Sequence, residues 1–367
     1  MDVKKILIFS LAYYPSVGGA EVAIKEITDR IAPEDIEFHM ITLRFDRGQA
    51  RKEKIGNVLV HRVGGGASYF SKILFVPRAA LRARALNKTE KFDAAWAMMS
   101  YMLFPLVLAN LKLPYALTLQ EGDTEQYMFG RARIALFLPL LRRGFRNAAA
   151  VSALSTFLAD WAKHMGYQGK VEVVPNGADV QNFSGSKTPH QGTRLITSSR
   201  LVHKNAVDDV LRALVLVPDV RFQIAGAGPE ETTLKVLARE LGVSDRVEWL
   251  GHVDHMQLVA LLHAADIYVR PSRSEGFGAS FPEAMAAEIP VITTQEGGLK
   301  DYITPEVAWP VEKDRPDQIA LQIKAILGNP QRTAQVVERA RQMVVAKYDW
   351  SLLARNMRER VFARLFI

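Results

Sequence analysis

The 367-residue chain contains no cysteine. Disulfides, thiolate metal sites and cysteine nucleophiles are therefore excluded, and the composition fits a reducing compartment. Long apolar runs are missing too. The longest uncharged window, Ala94 to Leu111, spans 18 residues but includes Ser100, Pro105 and Asn110. It reads as strand, loop and buried helix, not as a membrane span. At the start, Lys4 and Lys5 precede only a short strand-like run, so no signal peptide is expected.

What is present describes a globular protein of about two domains: hydrophobic content is 49% and the length exceeds one ordinary core. The net charge of +8 is unevenly placed. Residues 51–150 hold 16 Lys and Arg against 6 Asp and Glu, so the remainder is slightly acidic. Two stretches there, Phe75–Arg84 and Arg131–Arg143, mix Arg with bulky apolar side chains. That mixture suits an anionic membrane surface or a polyanionic acceptor, and equally a solvated helix face over a core. No nucleic-acid motif accompanies it, so nucleic acid is not expected as a partner.

The stretch around which the rest is organised runs Arg270-Pro-Ser-Arg-Ser-Glu-Gly-Phe-Gly-Ala-Ser-Phe-Pro-Glu283-Ala-Met-Ala-Ala. It follows Asp266-Ile-Tyr-Val, a β-branched run that reads as a short strand. The chain then turns through Gly276 and Gly278 and enters a helix near Ser280. Glu275 lies in the loop and Glu283 about one turn into the helix. Glycines permit close backbone approach, and a helix start offers N–H groups to an anion. A phosphate-bearing ligand with hydroxyls on both sides would satisfy each part; an ordinary solvated turn is the plain alternative.

This segment resembles the E-x7-E signature of the retaining glycosyltransferases of family 4, which have the GT-B fold. The resemblance implies that Glu275 and the amides of Gly276, Phe277, Gly278 and Ala279 hold the donor sugar and β-phosphate, and that Glu283 holds the nucleotide ribose. Further motifs follow in family order. Gly18-Gly19-Ala-Glu21, between the strand Lys5–Ser10 and a helical pattern, resembles the G-G-x-E loop, which gives Gly19 an approach to the donor phosphate. Pro175-Asn-Gly-Ala-Asp179 resembles P-N-G-V-D, and its Asn-Gly pair predicts a tight turn with positive φ. Ser199-Arg200-Leu to Ala206 resembles G-R-L-x-x-x-K-G. Arg200 falls on the family Arg; Asn205 occupies the Lys slot with Lys204 one residue earlier, and Ser199 and Ala206 replace the two glycines. The pair Arg200 and Lys204 would neutralise a diphosphate.

Ala225-Gly226-Ala-Gly228-Pro resembles the G-x-G-P strand end on the donor side; Glu231 stands where a dinucleotide fingerprint needs a third glycine. Val247–Val253 resembles the strand that lines the nucleobase pocket, with Val253 at its end. His252 nearby reads equally as a structural strand-end residue. Thr118-Leu-Gln120-Glu121-Gly-Asp123 falls where the family often has a His near sugar and acceptor. Gln120 can donate a hydrogen bond but cannot act as a base, so a proton acceptor must be Glu121, Asp123 or the donor phosphate. Glu288 stands where the family places a glycine after the E-A-M-A helix.

Alternating strands and helices from Ile36–Leu43 onward predict open, mostly parallel sheets covered by helices on both faces. The expected architecture is α/β: an acceptor-binding Rossmann-like domain over residues 1–182, a linker over 183–192, a donor domain over 193–348 and a last helix over 349–367 crossing back. The resemblance implies two such domains facing across a cleft.

It further implies transfer of a sugar from a UDP- or GDP-sugar, with retention, to a glycan or lipid-linked acceptor. No cofactor is expected beyond the donor, and no metal, because no Asp-x-Asp occurs to hold one on a diphosphate. The expected location is cytoplasmic, with the basic region against an anionic inner membrane face. A nucleotide-sugar epimerase or phosphorylase of the same fold, a non-catalytic subunit of a glycan assembly complex, and a nicotinamide-type fold used for binding are the alternatives.

Overall fold

The computed structural model describes residues 3–123 and 136–367. Part of the basic stretch Arg131–Arg143 therefore lies outside the described residues. The chain divides into two compact units, Met1–Asn176 with Trp350–Ile367, and Gly177–Asp349.

In the first unit, eight strands are found among the described residues: β1 (Lys4–Phe9), β2 (Ile36–Leu43), β3 (Lys52–Ile55), β4 (Val58–Val63), β5 (Ala94–Met98), β6 (Tyr115–Leu119), β7 (Ala150–Ala153) and β8 (Val171–Val173). Their order is β3-β4-β2-β1-β5-β6-β7-β8. Every pair is parallel except β3 with β4. Ile6, Leu7, Ile8 and Phe9 of β1 are fully buried, as a central parallel strand covered on both faces requires. Trp350, Leu353 and Phe362 of the C-terminal segment share the core with Ile6, Ile8 and Trp96. The Phe362 and Trp96 rings lie 5.0 Å apart, edge to face.

Strand β3 departs from the sequence reading, which took this segment as a basic connection. Gly56-Asn57 closes an antiparallel hairpin, with Gly56 at φ 55°. The Asn57 amide donates to the carbonyls of Thr28 and Ile31, fixing the turn. A two-residue Gly-Asn link is a hairpin signal.

The second unit has six strands among the described residues: β9 (Thr193–Ser198), β10 (Val220–Ala225), β11 (Val247–Gly251), β12 (Ile267–Arg270), β13 (Val291–Thr294) and β14 (Trp309–Val311). They run in the order β11-β10-β9-β12-β13-β14, all parallel. Its core joins Leu195, Phe222, Ile224, Val269 and Ile292 to helix residues such as Leu211, Ile319 and Ile323.

The boundary between units falls after Asn176, six residues before the end of the first domain as read from sequence. The segment taken as a linker packs on the second unit. Asp179 caps the helix Val180–Phe183, the Phe183 ring is buried against His255, and the Thr188 N–H donates to the His263 carbonyl at 2.9 Å.

The tight turn expected at Asn176-Gly177 is corrected, since neither residue has positive φ. The Asn176 amide instead donates to the Gly19 carbonyl (3.4 Å) and shares hydrogen bonds with Gln120 (3.1 and 3.4 Å). The chain runs on to Ala178, which bridges Asp349. Among the described residues no helix is long and apolar enough to cross a membrane.

Candidate active site

Each sheet has one point where the strand order reverses around its first strand, and in open parallel sheets ligands bind beyond the carboxyl ends of strands at such a point. In the second unit this lies between β9 and β12, the first strands on either side of the reversal. The loop after β9 carries Arg200 and Lys204; the loop after β12 carries Glu275 and leads into the helix Ser280–Ala286.

The β12 loop is held from four directions. Arg270, the last residue of β12, is buried. Its Nη2 donates to Glu275 Oε2 at 2.9 Å, and its guanidinium lies 4.3 Å from the Phe281 ring centroid. Burial lowers the Arg270 pKa, but Tyr268 and Glu275 outweigh it, and the group is held charged. Arg273 crosses to the other loop: its N–H donates to the Lys204 carbonyl (2.7 Å), and its side chain to the His203 carbonyl, Asp208, Asp209 and Asp314. Gly298 N–H donates to the Glu275 carbonyl (2.9 Å), and Tyr302 Oη to the Phe277 carbonyl (2.8 Å). Tyr268 Oη and Ser280 Oγ, 2.7 Å apart, tie the strand to the helix start.

Several glycines are required by close approach, Gly228 against the Leu201 carbonyl among them. A Cβ on Gly297 would stand 2.2 Å from the Glu275 carbonyl oxygen, and one on Gly226 only 1.8 Å from that of Ser199. Gly278, at φ 78°, passes the Phe281 ring and Arg270 too closely for a side chain. Gly226, read as a donor contact, thus packs β10 against the loop that bears Arg200.

Glu283 faces this arrangement with its side chain 17% exposed, its carboxylate 3.9 Å from His255 Nε2. Burial pushes its pKa up to about 7, against the opposing pull of Arg270. Arg200 is exposed and Lys204 half-buried. Asn205, in the family Lys slot, is buried and donates to the Arg200 carbonyl (2.6 Å). It shapes the loop from within. Val253 is half-buried just past β11. Phe277 is 2% exposed, its ring 5.1 Å from that of Tyr302 and 5.5 Å from that of Tyr348. Only its backbone can serve a ligand.

In the first unit the reversal lies between β1 and β5. Gly19 opens the helix Gly19–Asp29, preceded by Gly18, whose N–H donates to Glu21 at 2.7 Å. A Cβ on Gly19 would meet Asn176 Nδ2 at 3.5 Å, an ordinary contact. Gln120 and Asn176 line the same edge through their mutual hydrogen bonds, and Asp123 is half-buried beyond them.

Glu121 is placed otherwise than its reading as a proton acceptor requires. It is 1% exposed, Oε1 accepts the Ser100 N–H at 2.6 Å, and burial raises its pKa. The carboxylate supports the turn after β5, where Met99 sits at φ 72°.

Sequence reasoning missed Arg270 as a site residue. The signal was available: an Arg ending an apolar run in a buried parallel strand must find a carboxylate, and Glu275 is five residues on.

The Glycosyl transferase 4-like domain model matches residues 18–177, and the Glycosyl transferases group 1 model residues 180–343. An uncharacterized glycosyltransferase of Methanocaldococcus jannaschii is 34% identical over 96% of this chain and 96% of its own. The chain belongs to the family 4 glycosyltransferases. The transferase is also 28% identical, over 96% of its length and 97% of the relative's, to a GDP-mannose-dependent monoacylated alpha-(1-6)-phosphatidylinositol monomannoside mannosyltransferase of Corynebacterium glutamicum. Sucrose-phosphate synthase from Thermosynechococcus elongatus shares its fold, with a TM-score of 0.87 over 99% of both chains at 18% identity. Both α/β units of the transferase are thus those of a GT-B enzyme.

Proposed function

We propose that this glycosyltransferase moves a hexose from a nucleotide diphosphate sugar to a lipid-linked or glycan acceptor, with retention and without a metal ion. GDP-mannose is the first donor to test, because a relative aligned over nearly the whole chain is named for it; a UDP-sugar is the second. The observation that carries the reading is the loop after β12, where Arg270 and the Gly298 N–H fix Glu275 by side chain and by carbonyl. Such fixing leaves Glu275 one carboxylate oxygen, Oε1, for sugar hydroxyls. Glu283 would take the ribose hydroxyls.

Departure of the diphosphate develops negative charge. Arg200, Lys204 and the Ala279–Ser280 helix start are assigned to stabilise it, the largest contribution such a site can make. In the first unit Gly19 and Gln120 are assigned to the donor phosphate and the acceptor. Glu121 receives a positioning role, and the proton passes to the donor phosphate or Asp123.

Thermal melting with GDP-mannose, UDP-glucose and ADP-glucose, each with and without EDTA, tests the donor site. Donor at about 100 times its dissociation constant adds about 2.7 kcal/mol. One nucleotide class should raise the melting temperature regardless of EDTA. Failure of all three, or a shift abolished by EDTA and restored by manganese, would count against the reading.

A further inference from the structure

The first unit holds a cleft of about 760 Å3 whose walls carry seven cationic side chains beside Val63, Gly64, Gly65 and Leu81. Arg44, Arg47, Arg51, Lys52, Arg78 and Arg82 line it, at the carboxyl ends of β2 and β4, the start of β3 and the helix Tyr69–Glu90. Among the described residues, none of these six has a carboxylate within ion-pairing distance. The Arg44 side chain donates to the carbonyls of Arg47 and Gln49. The nearby acid Asp46 is engaged by the Gly48 N–H (2.6 Å). A seventh lining cation, Arg62, is paired with Glu53, yet its side chain is 1% exposed and its Nε is buried without a partner.

Like charges gathered without counter-ions repel one another, and the free protein gains nothing from the arrangement. Beyond the two carbonyls that take Arg44 and the His61 Nδ1 that lies 3.4 Å from Arg82 Nη2, only water can solvate the exposed guanidinium groups. An anion with several oxygens would bridge them through charge-assisted, bidentate hydrogen bonds, for which arginine is suited far better than lysine. Five of the six unpaired cations are arginine. The floor permits close approach: Gly64, at φ 74°, would place a Cβ 3.3 Å from Arg78 Nη1. On the same helix Tyr69, Phe70, Ile73 and Leu81 are each more than half exposed. Apolar side chains thus stand on the element that supplies two of the cations.

We infer that this cleft binds a phosphoryl-rich anionic group, a phosphomonoester or diphosphate, on a ligand other than the sugar donor. It deepens the acceptor reading above and rests on it only for calling that ligand the acceptor. The same chemistry is offered by a phospholipid headgroup and by a soluble phosphate ester. The exposed apolar residues favour the headgroup.

The test is calorimetry with inorganic pyrophosphate, joined to flotation with phosphatidylcholine vesicles containing phosphatidic acid or, at equal charge, phosphatidylserine. The variant Arg47→Ser with Arg78→Ser removes two cations, and loss of about tenfold in affinity for each is expected. Lys54→Ser with Lys88→Ser, outside the cleft, should change nothing. Arg200→Ser, in the other unit, should leave most pyrophosphate binding intact, whereas the donor melting shift should fall.

Pyrophosphate and phosphatidic acid binding lost together in the cleft variant would assign a lipid headgroup. Loss of pyrophosphate binding without vesicle binding would assign a soluble ester. No pyrophosphate binding by the unmodified protein, or binding that the cleft variant keeps and Arg200→Ser loses, overturns the inference. A cleft variant that loses pyrophosphate but keeps the donor shift separates its fate from that of the donor reading.

Discussion

Arg270 and Glu275 form a pair with side chains 8% and 13% exposed. Removing one partner of a buried pair leaves the other charge without compensation, at a cost of about 3 kcal/mol. Arg270→Ala should destabilise by about that amount in denaturant unfolding and abolish donor binding. Unchanged stability would show that the pair is not formed in solution. Glu283 behaves in the opposite sense. Its folded pKa, about 7, lies above its ordinary value of 4.5 because burial penalises the carboxylate. The folded state therefore holds a proton that the unfolded chain releases, and the stability this confers is full below about 4.5 and lost as pH rises through 7. Glu283→Gln should melt close to the unmodified protein at pH 5 and higher at pH 8, by up to about 3 kcal/mol. Equal melting at pH 8 would refute the assignment. At this scale the sequence was partly legible. Glu275 and Glu283 were singled out by the family resemblance of the strand, loop and helix that carry them, but the depth of Glu121 could not be read. Its carboxylate turns inward to Ser100, a choice made by the strained Met99 turn and not by any neighbouring residue in sequence.

Two loop positions of this chain carry side chains where the resemblance implies glycine. Ala206 and Glu288 take two positions read as glycine slots, and both adopt the left-handed conformation, at φ 53° and φ 58°. A side chain in that conformation carries strain of about 1 kcal/mol at each position. Ala206→Gly should stabilise by about 0.5 to 1 kcal/mol, net of the looser unfolded chain, seen as a melting increase of a few degrees. Glu288→Gly should gain less, because it gives up the 3.1 Å ion pair with Arg341.

Two further glycines separate structure from function. Gly226→Ala would drive a Cβ into the Ser199 carbonyl and should cost at least about 2 kcal/mol while displacing the Arg200 loop. Gly19→Ala meets only an ordinary contact, so melting should hold or rise slightly at this helix start. A fall in turnover of tenfold or more with intact melting would then report ligand contact. Fourteen strands are found among the described residues, and apart from β2, β3 and β4 they are separated by helical segments. Most were legible because buried parallel strands read as unbroken apolar runs. Strand β3, edge-on and basic, and β14, three residues long, lack that signal.

On the scale of the whole molecule, Arg51, Lys52, Arg62, Arg78 and Arg82 from the basic window 51–150 join Arg44 and Arg47 in a cleft of one unit, while Glu275 and Glu283 lie in the other. The division of the chain was legible in its rhythm, but not to the residue. The polar segment read as a linker is anchored by Phe183 and Thr188, whose partners are distant in sequence. The central claim is that nucleotide-sugar turnover depends on Glu275 and needs no divalent ion. The most direct test is release of nucleoside diphosphate from GDP-mannose or a UDP-sugar, in EDTA, with lipid extract as acceptor. It would compare the unmodified protein with Glu275→Gln. Turnover is expected with one donor, unaffected by EDTA and reduced about a hundredfold or more by the substitution, a loss of at least about 2.7 kcal/mol of transition-state stabilisation. Turnover that survives Glu275→Gln undiminished, or that appears only with added manganese, would contradict the claim.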